Sequence, residues 1–306
     1  MTLRIAYQSE DFPTPYSFGS GLLNTSWNEL LWAALTIGRP STYHVLRHGP
    51  ASFHEAIFRL ALIRMAVEQD HKGFLRRTGA YAALDPTEKG MVSYFLGMTL
   101  CKLFAARLLR TPWLLHLDVF RNQLDPVILG RSRPDLVGED VTGKWHAFEC
   151  KGRSSAPTSA DKAKAKKQAN RLLALGGTRT SLHIGTFSYF RRDVLEFYWR
   201  DPEPDEEDAI NLPEPNGEWG FYFEPSLRLA GETDSVAFAA EREMADVKID
   251  IHPEIRVLLE KGEWSQAKRQ AQRLRETLIS EGYQPDGLRV TAGDSWAKRF
   301  EPRDRG

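Results

Sequence analysis

The sequence predicts an α/β protein of the α+β kind, a mixed sheet flanked by helices, and three observations predict it. Three helix starts, at Ser26, Ser52 and Asp85, each place an N-cap acceptor three residues before a Glu. After the third, the chain reads helix, three strands, helix, strand. An acidic, proline-rich segment, DPEPDEEDAINLPEPNG, then separates this core from a further stretch of helical and strand-like pattern. The expected organisation is a helical region at 1–84, a core at 85–200, a linker or exposed loop at 201–217 and a C-terminal α/β extension at 218–306.

Taken in order, residues 1 to about 20 carry Pro13, Pro15, Gly19 and Gly21 and read as an irregular lead-in. Helices from the three capped starts are expected to end near Gly38, Gly73 and Leu109. The third has Pro86 at its first position and is apolar around most of its circumference, so it is expected to be buried on more than one side. Trp113–Phe120 reads as a strand and the segment from Arg131 to Arg153 as a hairpin. Ala160–Leu175 reads as a helix stopped by Gly176-Gly177. Leu182–Phe190 and Val194–Trp199 follow as strands. Beyond the acidic segment, Trp219–Phe223 is a strand candidate, Val236–Ile251 is ambiguous, and Pro253–Ser280 has helical periods broken at Gly262.

Composition narrows the function classes. The 306 residues, 42% of them apolar, suffice for a sizeable core, and a formal net charge of zero excludes a wholly basic nucleic-acid binder. The start MTLRIAYQSEDF has neither a basic nor an apolar leader region and no long uncharged apolar run occurs, so a cytoplasmic protein that does not span a membrane is expected. Two cysteines, Cys101 and Cys150, offer no disulfide framework and no zinc spacing. No nucleotide-binding glycine loop is present.

The hairpin carries the chemistry. Val141-Thr142-Gly143 fits a three-residue connection with glycine in the left-handed position. Asp140 then faces Lys144, and the same register sets Asp135 opposite Glu149. The two-residue period puts Glu149 and Lys151 on one face, away from His146, Phe148 and Cys150. Two carboxylates and an ammonium therefore converge. An ordinary surface hairpin would leave these charges in water, whereas the apolar neighbours Leu136, Val137, Ala147 and Phe148 favour a covered position.

Pro134-Asp135, thirteen residues, then Glu149-Cys150-Lys151, set in this order of elements, resembles the PD-(D/E)XK nuclease superfamily with its restriction-endonuclease-like core. The resemblance covers roughly Asp85 to Trp199. It implies a nuclease that hydrolyses phosphodiester bonds with Mg²⁺ or Mn²⁺, acting on DNA, in a phage-defence or DNA-repair setting. By the same resemblance Asp135 and Glu149 ligate the metal, the Cys150 backbone carbonyl adds a ligand, and Lys151 positions or activates the attacking water. Gln168 falls where many members carry a polar site residue, and Glu88 where some carry an additional acid. The residue types suit the reaction independently: a hard cation takes oxygen ligands, and an amine beside them stabilises charge developing on phosphate.

A second text match, Asp234 with Asp246-Val247-Lys248, lacks the proline and any turn between its halves. The positive surface expected to meet nucleic acid is Lys162, Lys166, Lys167 and Arg171 on the helix after the motif, where Asp161 is the lone acid. The alternative function is a catalytically inactive module of the same fold that binds nucleic acid or a partner protein. The N-terminal helices and the C-terminal extension could supply homodimer contacts, substrate recognition or docking to a partner subunit.

Overall fold

The computed structural model describes residues 2–14, 16, 18–37, 50–123, 133–201, 210–232 and 243–298. In chain order the elements are β1 (Leu3–Glu10), β2 (Gly21–Thr25), α1 (Trp27–Thr36), α2 (Pro50–Ala66), β3 (Val67–Gln69), β4 (Leu75–Arg77), α3 (Gly79–Ala83) and α4 (Pro86–Leu108). β5 (Trp113–His116), a 3₁₀ turn (Leu117–Gln123), β6 (Leu136–Glu139), β7 (Trp145–Arg153) and α5 (Ser159–Ala169) follow. Then come β8 (Leu172–Leu175), β9 (Thr178–Arg179), β10 (Leu182–Arg191), β11 (Val194–Arg200) and β12 (Ile210–Leu212). The chain continues with α6 (Trp219–Glu232), β13 (Val247–Ile251), α7 (Pro253–Glu260), α8 (Trp264–Arg273), α9 (Arg275–Ser280) and β14 (Leu288–Ala292).

A mixed sheet in the order β2-β1-β11-β10-β7-β6-β5 organises the molecule, with β1/β11 and β10/β7 parallel and the remaining pairs along this path antiparallel. Strand alternation gives it two distinct faces. One carries Phe148, Cys150, Gly152, Phe197 and Trp199 and packs on α4, where Phe104 stacks on Phe197 at 4.0 Å between ring centres. The other carries Trp145, Glu149, Lys151, Phe187 and Tyr198. There α5 inserts Ala165 among Phe187, Tyr189 and Tyr198, and Trp219 of α6 stacks on Trp145 at 6.1 Å.

The helix α4 is held as its sequence requires. Asp85 and Glu88 close a capping box with Pro86 inside the first turn, and Tyr81 bonds Ser93 at 2.7 Å across the α3–α4 corner. Its contact with β7 is backbone on backbone: a Cβ at Gly97 would lie 2.7 Å from the Gly152 amide nitrogen, and a Cβ at Gly152 would overlap the Ser93 carbonyl.

The chain beyond the acidic segment packs on the core through a buried polar hub. Asp286 accepts hydrogen bonds from Trp32 Nε1 at 2.8 Å, Tyr222 Oη at 2.5 Å and Leu288 N at 3.0 Å. Lys102 of α4 donates to Tyr222 Oη at 2.8 Å and to the Pro112 carbonyl, with its ammonium 4.5 Å from the Trp32 ring centre. Five separate segments meet in this one network.

Several expectations are corrected here. The supposed lead-in holds β1 and the start of β2, and β1 is an inner strand of the sheet, so residues 1–84 are not simply helical. The second helix begins at Pro50 rather than after Ser52, and Gly73 (φ +87°) turns β3 into β4 instead of ending a helix. The strand at Trp113 stops at His116 and tightens into the 3₁₀ turn. The basic helix ends at Ala169, and Leu172–Leu175 forms β8 of a small sheet, β12-β8-β9. Trp219–Phe223 is helical, opening α6 and placing Trp219 on the core face. Asp201, expected in an exposed loop, is buried and accepts the His183 amide at 2.7 Å, and Ile210–Leu212 is a strand. Residues 202–209 lie outside the described residues, as does Asp234 of the second text match. Asp246 of that match accepts from Ser295 N at 2.9 Å. The N-cap at Ser26, the capping box at Asp85, the helix end at Leu109, and the helices broken at Gly262 agree with expectation, but at Ser26 the box is not closed, because Glu29 takes the Thr25 hydroxyl and Arg107 instead of the Ser26 amide.

Candidate active site

The site begins at a turn. Asp140 Oδ1 accepts from Thr142 N at 2.7 Å and Lys144 N at 3.0 Å, Asp140 N donates to the Lys144 carbonyl at 2.9 Å, and Gly143 takes φ +86°. This fixes the register Glu139↔Trp145 to Leu136↔Phe148, the one expected from the sequence. Asp135 lies just before this ladder, its N donating to the Phe148 carbonyl at 3.0 Å, and its charge acts directly on Glu149. Asp135 Oδ2 in turn accepts the Cys150 amide at 2.8 Å.

The two strands are unequal, and the inequality makes a notch. Among the described residues β6 pairs β7 only as far as Phe148, while β7 runs on to Arg153. Within a strand the N–H and C=O of one residue point to the same side. The Cys150 amide is directed at Asp135, so its carbonyl opens toward that carboxylate too. Asp135, the Cys150 carbonyl and Glu149 thus present oxygen to one space, and Lys151 Nζ closes on Glu149 Oε1 as an ion pair.

Burial sets the electrostatics. Glu149 is 1% exposed, and among the described residues its carboxyl meets only the Lys151 ammonium and the Asp135 carboxyl. Desolvation, with the Asp135 charge beside it, pushes the Glu149 carboxyl up to about 8, against the opposing pull of Lys151. Burial raises Asp135 as well, opposed by the Cys150 amide and Lys151. For Lys151 burial works against the charge, yet Glu149 and Asp135 outweigh it and the ammonium is held more firmly than usual. Two adjacent buried carboxyls served by one amine are costly to ionise together, so Glu149 keeps its proton up to about pH 8, and a hard cation would take the place of that proton. Among the described residues no group of three or more His, Cys, Asp or Glu side chains is placed to hold a metal. The oxygen donors here are two side chains and one carbonyl, a set suited to Mg²⁺, which keeps several waters of its own.

Of the other expected site residues, Gln168 lies on α5, which packs against β7 and β10 on the Glu149 face, and its Oε1 is buried without a hydrogen-bond partner. Glu88 does not join the pair. Its carboxylate accepts the Asp85 amide at 3.2 Å, and closing a helix start is what holds it at the exposed end of α4. Lys162 turns inward, 3.6 Å from the Tyr198 ring centre and 3.4 Å from Glu10 Oε1, so it is not a free surface charge. Lys167 is exposed on α5, the side chain of Lys166 lies outside the described residues, and Arg171 falls beyond the end of the helix.

Neighbours without a sequence signal complete the rim. Tyr94 of α4, half exposed, follows Ser93 where that helix meets Gly152, and partial burial together with the Asp135, Cys150 and Glu149 charges raises its phenol. His116, lowered by burial, feels Asp118 and Asp135, and Arg133 pairs with Asp118. An isolated tyrosine in an apolar helical run looks like core, and only the packing of α4 on Gly152 reveals its position. Compared with protein-family models, curated proteins and solved structures, the chain matches none.

Proposed function

We propose that the protein is a metal-dependent nuclease with a restriction-endonuclease-like core, and that Asp135, Glu149 and Lys151 do its chemistry on DNA. The observation that carries this reading is the Glu149 carboxyl, 1% exposed, crowded against Asp135 and an outward-opening carbonyl with Lys151 as its one cation among the described residues. The order α4, β5, β6, β7, α5, β10, with β10 parallel to β7, supports the same reading.

Asp135, Glu149 and the Cys150 carbonyl would hold the cation, from the side of the notch that β6 leaves open. A bound Mg²⁺-class ion supplies a water of lowered pKa and neutralises charge on a phosphate oxygen. Lys151, with a side chain 36% exposed, reaches from the buried carboxylate toward solvent, where its ammonium can orient a phosphate and stabilise the negative charge that builds up on it. Gln168 supplies a buried carbonyl oxygen on the same face.

The test is incubation of linear and circular DNA, and RNA, with Mg²⁺ or Mn²⁺ and wild type, Asp135→Asn or Lys151→Ala. Cleavage that needs the metal and falls at least a hundredfold in both variants is the expected result. One feature favours the second reading, a module of this fold that binds without cutting: the Lys151–Glu149 ion pair already offsets part of the buried charge. Binding with no cleavage under either metal selects it.

A further inference from the structure

Four arginines gather at the turn of the same hairpin, at the end of β7 away from Glu149. The turn residues Val141, Thr142 and Gly143 and the helix residues Arg269, Gln272 and Arg273 line a groove of ≈ 560 Å³, with no carboxylate among the described residues that line it. Arg269 and Arg273 are four residues apart, on one side of α8, and both are exposed. Arg110 stands behind the turn, exposed, its carbonyl accepting Val141 N at 3.0 Å. Arg275, just past α8, has its Nε buried with no hydrogen-bond partner, and the charge of Arg110 acts against it.

Among the described residues the nearby acids neutralise this cluster only in part, and Asp140 of the turn spends its charge on the Thr142 and Lys144 amides. Glu139 is taken by Lys268 at 2.6 Å, with Gln272 at 3.5 Å, and Glu276 offsets Arg275 only in part. Arg110 also sits at φ +55°, directly after the C-cap of α4, where glycine is the least costly residue. An arginine at a position that favours glycine, among like charges, is costly to the fold unless an anion meets it. The planar fork of arginine matches phosphate.

We propose that this groove binds the phosphate backbone of double-stranded DNA, as a second anchor on the face that carries the acid pair. Trp113, Glu139, Trp145 and Glu149 share that face, and Lys268 of α8 lies 5.2 Å from the Trp113 ring centre, so α8 covers the same side of the sheet as the site. The path along β7 from Gly143 to Glu149 is roughly 20 Å at ~3.3 Å per residue. That is about six base pairs of duplex at ~3.4 Å each. One duplex lying along the hairpin therefore reaches both places. The role as an anchor for cleavage rests on the proposed nuclease function, while the binding itself does not.

The experiment is fluorescence anisotropy with a labelled duplex of about 20 base pairs in EDTA, across a salt series, where no metal chemistry intervenes. Wild type is compared with Arg269→Glu/Arg273→Glu and, separately, Arg110→Gly, whose backbone conformation glycine favours, so that loss of binding there is not loss of fold. Binding at least tenfold weaker in the double variant is expected, with the slope of log affinity on log salt flatter by about 1.8 for two lost phosphate contacts. Unchanged affinity in both variants overturns the proposal, and so does absence of wild-type binding at low salt. Binding to phosphatidylserine vesicles rather than DNA, lost on the same substitutions, overturns it in favour of a membrane surface. Absence of cleavage in metal with groove-dependent binding intact would sink the nuclease reading alone.

Discussion

At Gly152 there is no room for a side chain, because the Ser93 carbonyl of α4 occupies the place a Cβ would take. Gly152→Ala must therefore push α4 off β7 beside Lys151, and a loss of roughly 3 kcal/mol or more is expected in urea unfolding, the upper end of overpacking costs. Glu149 makes a different prediction. A buried carboxyl crowded by a second acid gains most from a cation, so Mg²⁺ should raise the thermal midpoint of wild type and leave Glu149→Gln unmoved. At a hundred times the dissociation constant the gain is about 2.7 kcal/mol. A differential scanning fluorimetry titration reads it without any activity, and equal shifts in both proteins would remove Glu149 from the ligand set. Arg110→Gly should also hold or slightly raise stability, by up to about 1 kcal/mol, since it relieves a left-handed side-chain residue.

Among the elements, α4 shows how local signals and tertiary demands combine. Asp85→Ala removes the acceptor of the Thr87 and Glu88 amides and should cost about 1 kcal/mol, measured by chemical denaturation. That cap was legible because its residues lie within four positions of one another. The hairpin was legible for the same reason: Gly143 fixes the turn, the turn fixes the register, and the register brings Asp135 to Glu149. What the sequence hid depends on distant partners. β1 is a strand because β11 and β2 flank it, although Pro13 and Gly19 nearby suggest a loop. Trp219–Phe223 carries an apolar run that either period can host, and packing against Trp145 selects the helix. Glu88 had the right chemistry in the right segment, but a cap three residues away claims it first. Lys162, counted with a basic face, is drawn inward by Glu10 and Tyr198 from two strands that local pattern could not link to it.

For the molecule as a whole, the hub of Trp32, Lys102, Tyr222 and Asp286 joins early and late parts of the chain. Burial holds the Lys102 amine down to about 7, while Asp286 is raised by burial, so both lose charge readily. Between about pH 7 and the ordinary lysine range the unfolded chain binds a proton that folded Lys102 lacks. Stability from this group therefore rises with pH across that window and is lost as pH falls through about 7. Comparing urea midpoints of wild type and Lys102→Met at about pH 7 and pH 9.5 should show the wild type gaining, at up to about 1.4 kcal/mol per pH unit. A constant difference would contradict the assignment. β5 ends one side of the sheet, its four residues Trp113–His116 are buried, and α6 packs against it. Remove the chain after residue 217 and that strand becomes a bare ribbon of unpaired amides and carbonyls, available to any copy that drifts past. The late segment thus acts as a guard against self-association, and its loss should be visible first as turbidity that rises with concentration rather than as a failed reaction.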